Sequence, residues 1–164
     1  PGRYEDGFYA GDLLSDVLGR GKSSRLYQKL LKERALFNSI SGSIISSLDP
    51  GLLMVKGNLN PGVTLEEADA AVTEILQEIV ENGASDEEVT KVKNQSEASL
   101  AFSEVELPNR AMNLAFAAKA GNVDWANADA DIIRALTPDD INQAAKTILR
   151  PENTSTMYYR AEAK

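Results

Sequence analysis

Hydrophobic residues recur at helical spacing near the start of the chain. Between Glu5 and Leu18 the apolar positions follow the i, i+3, i+4, i+7 pattern, which predicts one buried face of a helix that ends at Gly19. A short polar loop follows, and Ser23 or Ser24 can cap a second helix. The inward residues of that second helix would be Leu26, Tyr27, Leu30 and Leu31.

The period of the pattern then changes from helical to two. Small polar residues alternate with isoleucines between Phe37 and Ser47, which predicts a strand. Asp49-Pro50-Gly51 has the composition of a turn, and residues Leu52 to Leu59 alternate again. The two segments therefore predict an antiparallel hairpin.

Capping signals mark the next two helices. Thr64 with Glu67 begins a helix that closes at Asn82-Gly83, and Ser85 with Glu88 begins another. We expect the second of these to run to about Val105, before the break that Pro108 imposes. Its inward residues would be Val89, Val92 and Ser96.

The last third of the chain predicts further helices and one strand. A helix that contains Leu114, Ala115 and Ala118 is followed at Gly121 by a break and then by a short helix near residues 125–136. Thr137-Pro138 has the pattern of a helix start, and this last helix should reach Leu149. Residues 154–159 predict a final strand.

This order of elements is typical of an α+β fold. We expect a two-layer sandwich in which helices pack on one face of a small, mainly antiparallel sheet, with residues 1–164 forming a single domain. Three strands leave an edge unpaired. We therefore expect a first strand upstream of Pro1, a chain that is a fragment of a longer protein, and a sheet edge through which two copies can form a homodimer.

Composition excludes several classes of function. The chain contains no histidine and no cysteine, so it has no conventional zinc or thiol site, and we predict no catalytic residue and no metal ligand in it. A net charge of −8 disfavours nucleic acid as a partner, because phosphate binding depends on Lys and Arg. No apolar run is long enough to predict a membrane span.

Most polar residues are explained by helix caps and turns. Gly19-Arg20-Gly21-Lys22-Ser23-Ser24 lacks the spacing of a phosphate-binding loop, and it follows a helix where such a loop follows a strand. Arg25 is the exception, since it is a cation at the start of a helix that otherwise turns leucines inward. The alternative interpretation of Arg25 is a surface salt bridge.

A set of motifs in order along the chain resembles a known family. Several stretches together resemble the C-terminal-type domain of the insulinase/pitrilysin (M16) zinc peptidases: residues 9–19 and 21–27, Glu33-Arg34-Ala35-Leu36, Asp49-Pro50-Gly51-Leu52, Ser85 and Glu88 with Val92-Lys93, and residues 136–141. The resemblance spans nearly the whole chain. It implies two homologous halves, of which one carries a His-x-x-Glu-His zinc site and the other closes over the peptide substrate. A chain without histidine resembles the second half, with zinc expected in a companion M16 domain.

The resemblance also implies which residues hold the substrate. In the second half the family uses an Arg of the Ser-Arg-Leu element and a Tyr at the start of the next strand to hold the peptide main chain. Arg25 matches the Arg, and Asn38 stands at the position of the Tyr. An amide can hydrogen-bond a peptide but lacks the aromatic ring. The predicted substrate-binding residues are Ser24, Arg25, Phe37 and Asn38.

Two functions are consistent with the sequence. The first is the non-catalytic half of a zinc-dependent peptidase-like protein that aligns an extended peptide for its zinc-bearing half. The alternative is a catalytically inactive structural or assembly subunit of the same fold, which Asn38 favours because the family Tyr is absent. The sequence leaves the compartment open, and by family analogy a periplasmic location would follow if the source is a Gram-negative bacterium.

Overall fold

Helices cover one face of a two-stranded hairpin in the structure, a computed structural model that describes residues 1–160. Strands β1 (Phe37–Ile45) and β2 (Leu52–Leu59) pair antiparallel. The α-helices are α1 (Phe8–Gly19), α2 (Leu65–Asn82), α3 (Asp86–Val105), α4 (Leu107–Ala120), α5 (Asp129–Ala135) and α6 (Pro138–Ile148). The predicted α+β fold, with helices packed on one face of a small sheet, is confirmed.

Helix α1 lies at the centre of the core. Its predicted apolar stripe is buried, and the helix packs against β1, α3 and α6. The closest approach is between Gly19 at its end and Gly42 in β1, where a Cβ on Gly19 would lie 1.8 Å from the Gly42 nitrogen. Two backbones can come this close only because neither residue has a side chain there.

The hairpin has one inward and one outward face. Ile40 and Gly42 of β1 are buried, and Val55 of β2 packs against the same core. Ser41 and Ser43 alternate with them and are exposed. The predicted alternation is therefore confirmed, and the outer face of the hairpin is exposed within residues 1–160.

The second predicted helix forms a π-helix over Tyr27–Glu33. Leu26 and Leu30 are fully buried, as predicted, but the Arg34 N–H donates to the Lys29 carbonyl five residues back. The spacing of two or three buried leucines does not distinguish an α-helix, whose backbone hydrogen bonds span four residues, from a π-helix, whose hydrogen bonds span five. Such π-type turns are frequent at functional sites.

The predicted caps are present at the helix starts. Ser85 and Glu88 form a reciprocal capping box at α3, and Thr137 and Asp140 form another at α6. Thr64 accepts a hydrogen bond from the Glu67 N–H at α2. The end of α3 at Val105 also agrees with the prediction.

The region predicted as one short helix near residues 125–136 is divided in two. A 3₁₀ turn covers Val123–Asn127, and α5 follows it. Asn122 caps the 3₁₀ turn by accepting from the Asp124 N–H at 3.0 Å.

No helix within residues 1–160 is long and apolar enough to span a membrane.

The predicted strand at residues 154–159 is wrong. The segment joins no strand ladder and runs beside α2, where Thr156 Oγ1 lies 3.4 Å from Asp69 Oδ1 and Arg160 lies 3.7 Å from Glu66. A strand forms only beside another strand with a free edge, and β-propensity shows only that the side chains of a segment would fit a sheet. The predicted homodimer through the sheet edge stays a prediction.

We predict that Gly19→Ala destabilises the fold by about 2 to 3 kcal/mol, because the new methyl group would overlap the β1 backbone. Gly11→Ala in the same helix is the matched control, since its Cβ would meet only side-chain methyl ends at 3.1 and 3.3 Å. Chemical denaturation of both variants measures the difference. Equal stability of the two variants would contradict the close approach of α1 and β1.

Candidate functional site

Arg25 connects the start of the π-helix to the junction between α2 and α3. Its Nε and Nη2 donate to the two carboxylate oxygens of Glu88 at 2.7 and 2.8 Å. Nη2 also donates to the Gly83 carbonyl at 2.8 Å. The salt bridge considered as the alternative from sequence is thus present, and it is largely buried, with 14% of the Arg25 side chain exposed.

One nitrogen of the guanidinium has no acceptor among the described residues. Arg25 Nη1 is buried and donates no hydrogen bond there. A buried N–H without a partner lowers the stability of the fold by about 1 to 3 kcal/mol, and most buried hydrogen-bond donors in folded proteins are paired. Nη1 is therefore a charged donor without an acceptor among the described residues, and because it is buried, a peptide carbonyl reaches it only when the groups that cover it move aside.

Glu88 holds Arg25 in a fixed orientation and is ionised over a wide pH range. Burial alone would raise the pKa of Glu88, but hydrogen bonds from Arg25 and from the Ser85 backbone and hydroxyl outweigh burial and lower it to about 2. In return, the hydrogen bond to Glu88 raises the pKa of Arg25. Both members of the pair stay charged at neutral pH.

Asn38 occupies an irregular position in β1. Phe37 pairs with Leu59 and Ser39 pairs with Asn58, so the register shifts by one residue and Asn38 has no directly opposed partner. Such a β-bulge re-aims a side chain and is frequent beside active sites. The Asn38 side chain is exposed, and its Nδ2 donates to the Leu59 carbonyl at 3.2 Å.

The other two predicted substrate-binding residues lie beneath the surface. Ser24 is fully buried, and its Oγ donates to the Gly21 carbonyl at 2.8 Å. Phe37 is buried against Gly57, where a Cβ would lie 2.6 Å from the ring. Both residues therefore support the positions of their neighbours, Arg25 and Asn38.

The chain between Arg25 and Asn38 connects two separately anchored ends. Within residues 1–160 no hydrogen bond links these two side chains, because Arg25 is bound to the α2–α3 junction and Asn38 to β2. The π-helix and Ala35 lie between them. Ala35 has a positive φ of 51°, which L-residues rarely adopt, so the entry to β1 is strained.

Sequence reasoning identified Glu88 as a helix cap and Gly83 as a helix end, but it did not identify either residue as a partner of Arg25. The cap was a local signal, whereas the pairing with Arg25 joins residues 63 positions apart. An acidic residue at the third position of a helix can accept hydrogen bonds from the cap residue and from a distant cation at the same time. Glu88 at that position was therefore the one signal in the sequence for a partner of Arg25. Within the described part of the chain, no group of three potential metal ligands lies together.

We compared the chain with protein-family models and with curated protein sequences. The family model described as the peptidase M16 inactive domain matches residues 3–96. A search of curated protein sequences finds no match.

Solved structures with the same fold include two proteins from Bordetella. The inactive peptidase domain of a candidate zinc protease from Bordetella parapertussis is 26% identical, with a TM-score of 0.89 over 99% of this chain and 89% of that one. A candidate zinc protease from Bordetella pertussis Tohama I is 25% identical, with a TM-score of 0.83 over 93% of this chain and 84% of that one. A protease from Helicobacter pylori shares the fold at 19% identity and a TM-score of 0.81, over 90% of this chain and 35% of that one.

We predict that Glu88→Gln lowers the free energy of unfolding at neutral pH by about 1 to 2 kcal/mol, since it removes the charge opposite Arg25 and the Gln can still cap α3. Because the folded pKa of Glu88 is lowered from 4.5 to about 2, its stabilisation is present above pH 4.5 and is lost as pH falls towards 2. Denaturation at several pH values should show the wild-type advantage shrinking over that window. Glu87→Gln, an exposed acid in the same turn, is the control, and a wild-type advantage that is constant with pH would contradict the assignment.

We predict that Ala35→Gly stabilises the chain by about 1 kcal/mol, because glycine adopts a positive φ without strain. Ala111→Gly in exposed α4 is the matched control and should destabilise by about 1 kcal/mol, since there the glycine only weakens a helix. Thermal and denaturant unfolding of both variants give the two signs. A loss of stability at position 35 would show that the backbone there is not strained.

Proposed function

Because this chain belongs to the peptidase M16 inactive-domain family, we propose that it is the non-catalytic half of a zinc-dependent peptidase-like protein. In this role it closes over an extended peptide and aligns it, while a zinc-bearing companion domain carries out hydrolysis. The chain has no histidine or cysteine with which to hold a catalytic zinc ion itself. The companion is either part of the same chain or a separate subunit.

The observation that carries this proposal is a pair of anchored polar groups on either side of the π-helix in sequence, Arg25 before it and Asn38 in β1 after it. Arg25 is fixed by Glu88 with one nitrogen left without an acceptor, and Asn38 lies outside the strand ladder with its side chain exposed. Both groups are suited to the backbone of a peptide, which presents a carbonyl and an N–H at every residue. Neither group depends on the identity of the peptide side chains.

Asn38 can contact a peptide main chain in two ways. One Nδ2 hydrogen is directed to the Leu59 carbonyl, which leaves the second hydrogen to donate and Oδ1 to accept. The amide therefore matches a peptide N–H and carbonyl together. It does not supply the stacking surface that the tyrosine of the family would provide.

Arg25 would supply a charged hydrogen bond to a peptide carbonyl through Nη1 once the groups that cover this buried nitrogen move aside. Glu88 keeps the guanidinium oriented in advance, so little side-chain entropy is lost when a peptide binds. Ser24 and Phe37 hold the backbone on either side in place from below. Two fixed contacts on one extended segment restrain its orientation, and such restraint can contribute strongly to a hydrolytic rate.

The zinc ion expected in the companion domain would supply Lewis acidity and an activated water when bound. The residues of this chain hold the peptide and limit the access of bulk water when the two halves close. This division assigns binding to one half and chemistry to the other.

A second candidate function is an assembly subunit without peptidase activity in either half. Two observations favour it: Asn38 replaces the family tyrosine, and most donors of Arg25 are already used by Glu88 and Gly83. An assembly of this chain with its companion that binds zinc but cleaves no peptide would support this function.

We predict that Arg25→Ala and Asn38→Ala weaken peptide binding in the assembled peptidase without changing its zinc content. The loss of one charged hydrogen bond should raise KM about 10-fold to 100-fold for Arg25→Ala, and the loss of a neutral one about 3-fold to 10-fold for Asn38→Ala, with kcat changed less. Steady-state kinetics on an unstructured peptide and metal analysis measure these effects. Asn94→Ala, at an exposed position of α3, is the control.

Glu88→Gln separates direct contact by Arg25 from a positioning role. If Arg25 binds peptide directly, Arg25→Ala should raise KM well beyond Glu88→Gln, because the second variant keeps the guanidinium. Equal effects of the two variants would assign Arg25 to positioning alone. Unchanged kcat/KM in both Arg25→Ala and Asn38→Ala would contradict the proposed site.

A further inference from the structure

The end of α3 and the outer side of α4 form an apolar elbow that other parts of residues 1–160 leave uncovered. The buried residues of α3 end at Ser96, so its last turns extend beyond the core. We call the exposed apolar residues of this elbow the elbow surface. They are each between 52% and 79% exposed, and they comprise Phe102, Val105, Leu107, Met112 and Phe116.

Helix α4 has few polar residues and yet is almost wholly exposed. Its polar residues are Asn109, Arg110, Asn113 and Lys119. Ala117 is its one buried residue, and its main contacts within the described chain are with α3 and with the 3₁₀ turn Val123–Asn127. A helix with so apolar a surface is normally buried, and an exposed apolar patch usually marks an interaction surface.

The charges of the elbow change from acidic to basic along the chain. Glu104 and Glu106 lie at the bend between the two helices, whereas Arg110 and Lys119 lie within α4. All four residues are exposed, and none of them forms an ion pair with another described residue. A surface with acids at one end and a cation at the other is complementary to a second copy of itself that runs in the opposite direction.

Met112 lies midway between the two oppositely charged ends of α4. Glu106 precedes it by about 9 Å along the helix axis and Lys119 follows it by about 10 Å, at about 1.5 Å per residue. A two-fold axis beside Met112 therefore places Glu106 of each copy opposite Lys119 of the other, and this pair forms twice. Met112, Phe116 and Lys119 recur at i, i+4 and i+7, so one face of α4 presents the apolar residues and the cation together.

We propose that the elbow surface binds a second copy of this chain, with the two α4 helices antiparallel across a two-fold axis near Met112. The apolar residues form the centre of the contact, and the two Glu106–Lys119 pairs set its direction. The net charge of −8 opposes the approach of two copies. In about 0.15 M salt the Debye length is about 8 Å, so repulsion between distant charges is largely screened. The contact uses helices in place of the sheet edge, and it requires neither a peptide nor a zinc-bearing domain.

The oligomeric state of the chain in solution tests the contact directly. In about 0.15 M salt, sedimentation equilibrium should show a dimer with a Kd of about 1 to 100 µM, the affinity expected of a small interface. Met112→Glu places a charge at the centre of the contact and should weaken dimerisation at least about tenfold. Leu52→Glu makes the same change of net charge at an exposed leucine of the hairpin, and it should leave the Kd within about twofold of the wild type.

An exchange of charges tests the direction of the contact. Glu106→Lys or Lys119→Glu alone puts like charges opposite each other and should weaken dimerisation about 3-fold to 10-fold, because each pair occurs twice. The double variant Glu106→Lys/Lys119→Glu restores opposite charges and should return the Kd to within about twofold of the wild type. Glu87→Lys and Lys146→Glu make the same single changes of net charge at exposed positions of α3 and α6, and they are the controls. Thermal unfolding of each variant verifies that it is folded.

The three methionines of the chain show where the contact lies. Met112 is on the elbow surface, Met54 is on the hairpin and Met157 is in the segment after α6. At concentrations where the dimer predominates, peroxide should oxidise Met112 at least about fivefold more slowly than in the monomer, because an interface core excludes water. The oxidation rates of Met54 and Met157 should change less than about twofold, as expected for residues outside the interface core.

Three outcomes would overturn the proposal. A chain that stays monomeric at about 500 µM does not bind a second copy at this surface. A dimer in which Met112 is oxidised as fast as in the monomer uses another surface, such as the sheet edge. A double variant that dimerises no better than the single ones shows that Glu106 and Lys119 do not face each other across a two-fold axis. All of these readouts are made without peptide, so the Arg25 and Asn38 kinetics remain a separate test of the proposed function.

Discussion

The backbone contact between α1 and β1 sets the spacing of the two layers. Gly19 and Gly42 bring a helix end and a strand together without intervening side chains. This contact fixes the end of α1, from which the polar loop leads to Ser24 and Arg25. Leu26 and Leu30 then bury the first turns that follow. The position of the candidate site is therefore a consequence of how closely the two layers pack.

The ion pair between Arg25 and Glu88 connects this layer contact to the remaining helices. Glu88 caps α3 and binds Arg25 with the same carboxylate, so the start of α3 and the start of the π-helix are held by one group. Such sharing makes the pair sensitive to change, since removal of either partner leaves a partly buried charge without its counterpart. It also explains why a polar pair persists among apolar residues, because it fixes the orientation of two elements at once.

Features that depend on residues close together in sequence were predicted correctly, whereas features that depend on contacts between distant segments were not. The stripe of α1, the hairpin alternation and the caps at Ser85 and Thr137 depend on residues a few positions apart, and all appear in the structure. The π-helix and the bulge at Asn38 depend on how the chain fits between anchored ends, which periodicity does not record. Residues 154–159 have strand composition but no adjacent strand in the described chain. At the candidate site, Arg25 was identifiable as a residue type, whereas its partner Glu88 is fixed by tertiary structure.

The bulge in β1 allows the Asn38 side chain to remain outside the core while the residues on either side of it keep their places in the sheet. Phe37 and Ile40 are both buried although they are three residues apart, and a regular strand would place them on opposite faces. The extra residue between them, Asn38, absorbs this mismatch; its side chain is outside the core, and its one described hydrogen bond is to the Leu59 carbonyl of β2. Substitutions at such a position can therefore accumulate while the fold is retained. If Asn38 contacts peptides as proposed, a substitution at this one residue would change peptide binding while the hairpin is retained.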